Sequence, residues 1–227
     1  MPAAALALAL VVTLAVPPSL RGREVERVPT ASRTIALTFD GGDNAAAAGR
    51  ILRVLRAQRV PATFFVTGRF VERYPRLAQA IGREYPVGNH SFAHAPFTRM
   101  SSAAAAADIR RAERAIRRRT GRDPRPLFRF PYGDRDRRTI AVANRLGYVS
   151  VRWSIDTWGW MGRSRMSRGA VVRRVTARLE PGAIVLLHLG AARDGSTLDA
   201  AALPEIIAAA RRRGYTFTSL ERLGQRR

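Results

Sequence analysis

The 227-residue chain contains only three His, and each follows a short apolar or β-rich run. His90 and His94 stand four residues apart in His90-Ser91-Phe92-Ala93-His94, and His188 ends the run Ala183-Ile184-Val185-Leu186-Leu187. Two imidazoles at that separation, on a helix or in a tight loop after a strand, can face one metal ion. Two loop His making ordinary hydrogen bonds give the same pattern. Asp40 follows Thr38-Phe39, Arg129 follows Leu127-Phe128, and Asp156 lies just beyond another β-rich run at 148–151. Alone, Asp40 reads as an Asp before a Gly-Gly turn, and His188 as a core His. Placed together at strand ends, such groups perform acid–base and metal-assisted hydrolysis. The chain has no Cys, which excludes disulfides and thiolate sites and leaves imidazole and carboxylate to hold any metal.

The elements that must position these groups alternate. Residues 34–39, 62–66, 86–88, 127–130, 148–151, 183–187 and 215–218 read as strands. Helical spacing falls between them, around Ile51, Leu52 and Leu55, over 77–81, 101–119, 139–146, 170–179 and 203–213. Ser101 is a candidate N-cap for a helix carrying Ile109, Ala112 and Ile116 on one face. Seven or eight β/α repeats predict a parallel barrel, with a doubly wound open sheet as the competing topology. In a barrel, chemistry collects where strands end, which is where the unusual residues stand.

Thr38-Phe39-Asp40-Gly41-Gly42, His90-Ser91-Phe92-Ala93-His94, Arg129-Phe130-Pro131-Tyr132, Asp156-Thr157-Trp158-Gly159-Trp160 and Leu186-Leu187-His188 resemble five ordered motifs. They are those of the polysaccharide deacetylase (NodB-like carbohydrate esterase) family, and the resemblance runs from about residue 33 to the C-terminus. It implies a deformed (β/α)7-8 barrel and metal-dependent removal of acetyl groups, N-acetyl first, from a polysaccharide such as peptidoglycan. His90 and His94 would hold a divalent ion, zinc first, with cobalt or another first-row ion behind it. Asp40 would be the general base, kept ionised by Arg129, and His188 the general acid, held cationic by Asp156. The Tyr132 amide would stabilise the oxyanion, and Trp158, Trp160 and Leu186 would wall a small acetyl pocket; for the Trp pair the alternative is plain core packing. Two positions depart from the pattern. Gly41 stands where most members carry a metal-binding Asp, so that Asp43, Asn44 or a water would take its place. Gly159 stands where an acidic residue is common. A non-catalytic carbohydrate-binding relative with a weakened metal site is the alternative reading.

All 40 basic side chains are Arg and the formal charge is +23. Either coding bias or selection for an anionic partner, such as a cell-wall polymer, nucleic acid or membrane surface, accounts for it. The Arg residues are spread rather than gathered in one tract, which argues against a specific nucleic-acid arm. No stable protein partner is expected. Residues 1–20 read as a signal peptide or N-terminal anchor, whose apolar run Met1 to Val16 falls short of the roughly 20 residues needed to span a bilayer, with the small residues Thr13 and Ala15 near a cleavage point. Residues 21–33 read as a linker and 34–227 as the catalytic domain. Secretion or display at the cell surface is the expectation.

Overall fold

The computed structural model describes residues 16–42 and 44–223. In chain order its elements are β1 (Glu24–Val25), β2 (Thr34–Gly41), α1 (Ala48–Ala57), β3 (Thr63–Val66), α2 (Gly68–Arg73), α3 (Pro75–Glu84), β4 (Val87–Asn89), α4 (Ser102–Thr120), β5 (Leu127–Phe128), α5 (Arg137–Arg145), β6 (Val149–Val151), β7 (Ile155–Asp156), α6 (Arg168–Thr176), β8 (Ile184–His188), α7 (Leu198–Arg212) and β9 (Thr216–Thr218). All named strand pairs are parallel, in the order β1-β6-β5-β4-β3-β2-β8-β7, with β9 added to β2. β6 and β7 are separated only by residues 152–154, yet β6 pairs β5 while β7 pairs β8. This broken strand closes the ring, giving the deformed β/α barrel and not the open doubly wound sheet.

Burial on both faces explains why the strands read as continuous apolar runs. Ile184, Val185 and Leu187 are fully buried, as are Ile35, Leu37 and Phe39 of the neighbouring strand β2. α4 presents Ala105, Ile109, Ala112, Ala115 and Ile116 to the core at spacings of three and four. The Ser101 hydroxyl caps this helix by accepting from Ala104 N–H at 3.2 Å, and Gly121 ends it at φ 72°.

Residues 21–33, read as a linker, contain β1, which pairs β6 in parallel, and Val25 is buried in the lower core beside Leu220 and Leu223. α2 lies in a stretch that carried no helix expectation; its N-terminus is capped by Thr67 Oγ1, which accepts from Phe70 N–H at 3.0 Å. The bulk of the expected export segment, residues 1–15, lies outside the described residues. Val16, which follows it, is buried in the lower core. Among the described residues, no helix is long and apolar enough to cross a membrane.

One glycine sets the packing of α3 on α4. A Cβ on Gly82 would overlap the Thr120 carbonyl oxygen and lie 2.7 Å from Thr120 Cβ. Ala in a helix is ordinarily favoured over Gly by about 1 kcal/mol, but overpacking against backbone costs about 1–3 kcal/mol. Gly82→Ala is therefore expected to lower the melting temperature, and a calorimetric scan that finds it raised would contradict this packing.

Candidate active site

Thr38 and Asp40, alternate residues of β2, both make polar contacts inside the barrel, and Arg129 crosses the interior to meet them. Its Nη1 donates to Asp40 Oδ1 at 2.7 Å and to Thr38 Oγ1 at 3.0 Å, and its Nη2 donates to the Arg152 carbonyl at 3.1 Å. The guanidinium is wholly buried and stacks on Phe65 with 4.0 Å to the ring centroid. Burial would raise the Asp40 pKa. The Arg129 charge, with smaller help from His90 and His188, outweighs burial and holds the carboxyl below its ordinary range. Asp40 pairs in register with His188 on the adjacent strand β8. Arg129 therefore fixes the charge of one candidate and β-pairing fixes its distance from another.

The same arginine orients an imidazole through its backbone. His90 Nδ1 lies 2.9 Å from the Arg129 carbonyl, which can only accept, so Nδ1 carries the proton and Nε2 keeps its lone pair in the neutral ring. Burial pushes the His90 pKa down, favouring that neutral ring although Asp40 Oδ2 lies 3.4 Å from Nε2. His94 comes back beside it, ring centroids 4.9 Å apart, with Tyr132 against its other side at 4.5 Å. The loop achieves this with strained backbone: Ser91 and His94 sit at φ 70° and 56°. Hydrogen bonds hold it there. Ser91 N–H donates to Asn89 Oδ1 at 2.9 Å and His94 N–H to Ser91 Oγ at 2.9 Å. From α4, the Asp108 carboxylate accepts from Phe92 N–H at 2.7 Å and Ala93 N–H at 3.3 Å. Asp108→Ala removes both acceptors and is expected to cost about 1–3 kcal/mol of stability. Urea unfolding checks this, and an unchanged midpoint would contradict it.

The expected partner of His188 is Asp156, whose charge does act on it, but the carboxylate bonded to the ring is Asp199: His188 Nδ1 lies 3.2 Å from its Oδ2, and no motif singles that residue out. Asp156 instead accepts from Trp158 N–H at 2.9 Å and from the Trp160 side chain, and burial raises its pKa. Burial would lower the His188 pKa, but the Asp199 hydrogen bond and charge, with Asp40 and Asp156 behind them, raise it overall.

These groups line one groove of about 840 Å³, with Tyr132, Trp160 and Leu186 on its walls. Trp158 does not line it. That ring lies under the Arg174 guanidinium at 3.0 Å, and Trp153 supplies groove wall instead. Tyr132 and Trp158 both hold φ 60°, so four of the five non-glycine residues with positive φ among the described residues border this region. The donor types suit a divalent first-row ion, since two imidazoles lie side by side and His90 Nε2 keeps its lone pair. Among the described residues, no group of three His, Asp or Glu side chains completes a ligand set. Gly41 is the expected place of a carboxylate, yet a Cβ there would meet Leu189 at 3.1 Å and Phe70 at 3.3 Å. A Cβ on Gly42 would lie 3.8 Å from His94 Nε2, so position 42 faces the His94 imidazole. Asn44 is already engaged: its Oδ1 accepts from Ala191 N–H at 2.7 Å and its Nδ2 donates to the Ala191 carbonyl at 3.2 Å. Asp43 lies outside the described residues.

Residues 27–151 match the family model described as polysaccharide deacetylase. A chitooligosaccharide deacetylase of Bradyrhizobium sp. (strain ANU 289) is 34% identical over 202 residues, covering 85% of this chain and 91% of the relative. The peptidoglycan-N-acetylmuramic acid deacetylase PdaA of Bacillus subtilis (strain 168) is 32% identical over 195 residues, covering 86% and 72%. Among solved structures, BA3943, a CE4 family pseudoenzyme from Bacillus anthracis, superposes with a TM-score of 0.80 at 27% identity, covering 89% of this chain and 69% of that one. On the family model that matches more than half of its residues and on the relative at 34% identity, the chain belongs to the polysaccharide deacetylase family.

Proposed function

We propose that the chain is a metal-dependent hydrolase that removes acetyl groups, N-acetyl first, from a polysaccharide such as peptidoglycan or another N-acetylglucosamine-containing glycan. The observation that carries this reading is the meeting of Asp40, bonded to Arg129, and His188, bonded to Asp199, in register on β2 and β8, beside His90 and His94 in one groove. The ion, zinc first with cobalt or another first-row ion behind it, would be held by His90 and His94. When bound it polarises the acetyl carbonyl and acidifies water. Asp40 takes a proton from the attacking water as the C–O bond forms. His188 gives its proton to the sugar nitrogen as the C–N bond breaks, so acetate and a free amine leave. The Tyr132 amide is the candidate oxyanion donor, and Trp160 and Leu186 the walls around the methyl group.

The test is acetate release from N-acetylglucosamine oligomers and peptidoglycan by the chain lacking residues 1–15, with zinc, cobalt or chelator. Metal-dependent release supports the reading. Glycan binding without release under any metal favours the non-catalytic relative, for which Gly41 and the likeness to a pseudoenzyme speak. The pH profile gives a second check. Activity needs His188 protonated, so it falls as pH rises through a pKa held above the ordinary imidazole value. It needs Asp40 ionised, so it falls as pH drops through a pKa below the ordinary carboxylate range. A broad plateau between these limbs is expected, and a narrow optimum below the ordinary imidazole pKa would contradict the assignment.

We place the protein outside the cytoplasm or at the cell surface, on the apolar run 1–16. A cut after Ala15 would keep every described residue. The high positive charge suits an anionic cell-wall polymer around the substrate.

A further inference from the structure

We propose that Asp199, in the first turn of α7, is the positioning residue that sets the ring of His188, and that residue 159 is glycine so that this carboxylate can lie where it does. The inference rests on the acid role assigned to His188 above. Asp199 is 4% exposed, and its Oδ2 accepts both from His188 N–H at 2.9 Å and from the ring at 3.2 Å. A carboxylate that binds backbone and ring of one residue through a single oxygen fixes the side-chain torsions. Because an ionised carboxylate only accepts, it also fixes the proton on Nδ1. Nε2 is then the nitrogen left to meet substrate in the groove that His188 lines.

Asp199 carries a mark of a group kept for function. Its Oδ1 is buried and has no hydrogen-bond partner. That oxygen lies against Gly159: a Cβ there would overlap it, with Cγ at 2.6 Å and Oδ2 at 3.0 Å. An aspartate places its oxygens about 2.4 Å from its own Cβ, by ordinary bond lengths. With the Cβ position 3.0 Å from the present Oδ2, a carboxylate carried on residue 159 reaches, in one of its orientations, the region that the Asp199 carboxylate now fills. Positions 159 and 199 are alternative sources for one carboxylate, and the chain has room for only one of them at a time.

This exclusion makes the test a rescue. Four forms of the full chain are compared on a chitooligosaccharide with added metal: wild type, Asp199→Ala, Gly159→Asp, and the double variant. Asp199→Ala is expected to lower kcat about 10–100-fold with KM nearly unchanged, as loss of acid catalysis does. Gly159→Asp alone is expected to lose activity and melt earlier. The double variant is expected to regain at least about tenfold in kcat over Asp199→Ala. In parallel, nitrogen-15 NMR of the three His, recorded at a pH above the His188 pKa where its ring is neutral, reads the tautomer: Nδ1–H at His188 in wild type, lost in Asp199→Ala and recovered in the double variant. A folded double variant no faster than Asp199→Ala overturns the proposal, as does an unchanged His188 tautomer in Asp199→Ala. If wild type releases no acetate, the function proposed above fails, and the tautomer alone decides the role of Asp199.

Discussion

Asp40→Asn is expected to lower kcat about a thousandfold, or roughly 4 kcal/mol of barrier, while the protein stays folded. The substitution keeps shape and one oxygen, so an acceptor remains for Arg129 Nη1, now 2.7 Å from Asp40 Oδ1. It removes the charge and the basicity. The guanidinium does not lose all its acceptors, because Thr38 Oγ1 and the Arg152 carbonyl remain at 3.0 and 3.1 Å. A stability cost of about 1–3 kcal/mol follows, as for other weakened buried hydrogen bonds. Because Asp40 Oδ2 lies 3.4 Å from His90 Nε2, bound metal must be measured beside kcat. Loss of kcat with metal retained assigns the base to Asp40. A variant that keeps a tenth of wild-type kcat would move that role to another group.

The groups of this site were legible one at a time, and their partnerships mostly were not. Strands such as β8 stood out because burial on both faces leaves a continuous apolar run. The helix α4 stood out because its apolar face recurs at helical spacing and Ser101 caps it. The two-residue strands β1 and β7 are too short to show any period, so the first was absorbed into a linker and the second went unseen. Asp199 escaped for a different reason. The expected helix, 203–213, begins after Asp199, whereas the observed one starts at Leu198, so from the sequence Asp199 falls in a loop where an acid is ordinary. Only tertiary packing, which sets Asp199 beside His188 and against Gly159, separates it from any other such acid. The glycine was the readable half of that pair, as a departure from the family pattern with no cause visible in the chain. Trp158 failed in the same way: its motif position was clear, but the stacking of Arg174 on its ring was not. Motif residues name the chemistry, and the fold decides which of them share an atom.

Arg129→Met is expected to cost about 3–5 kcal/mol, more than any surface change in this chain, because it strands a buried carboxylate. The asymmetry with Asp40→Asn is physical. Methionine fills much of the same space and keeps contact with Phe65, but donates nothing. Asp40 then keeps its burial and loses the guanidinium that outweighs it. Its pKa must rise, so a larger fraction is protonated at any given pH and less of it serves as a base. The acid limb of the pH profile therefore moves upward, with some activity recovered at higher pH, whereas Asp40→Asn recovers none at any pH. The Arg152 carbonyl and Thr38 hydroxyl lose their donor as well, adding to the loss. A change of this size in a domain of about 200 residues lowers the melting temperature by roughly 10 °C. Arg129→Lys keeps a charge but not the fork that reaches Asp40, Thr38 and Arg152 together, so it should fall between the two. Thermal melts and pH profiles of the three variants decide the matter. Wild-type melting and an unmoved acid limb in Arg129→Met would show that Asp40 is held ionised by something other than this arginine.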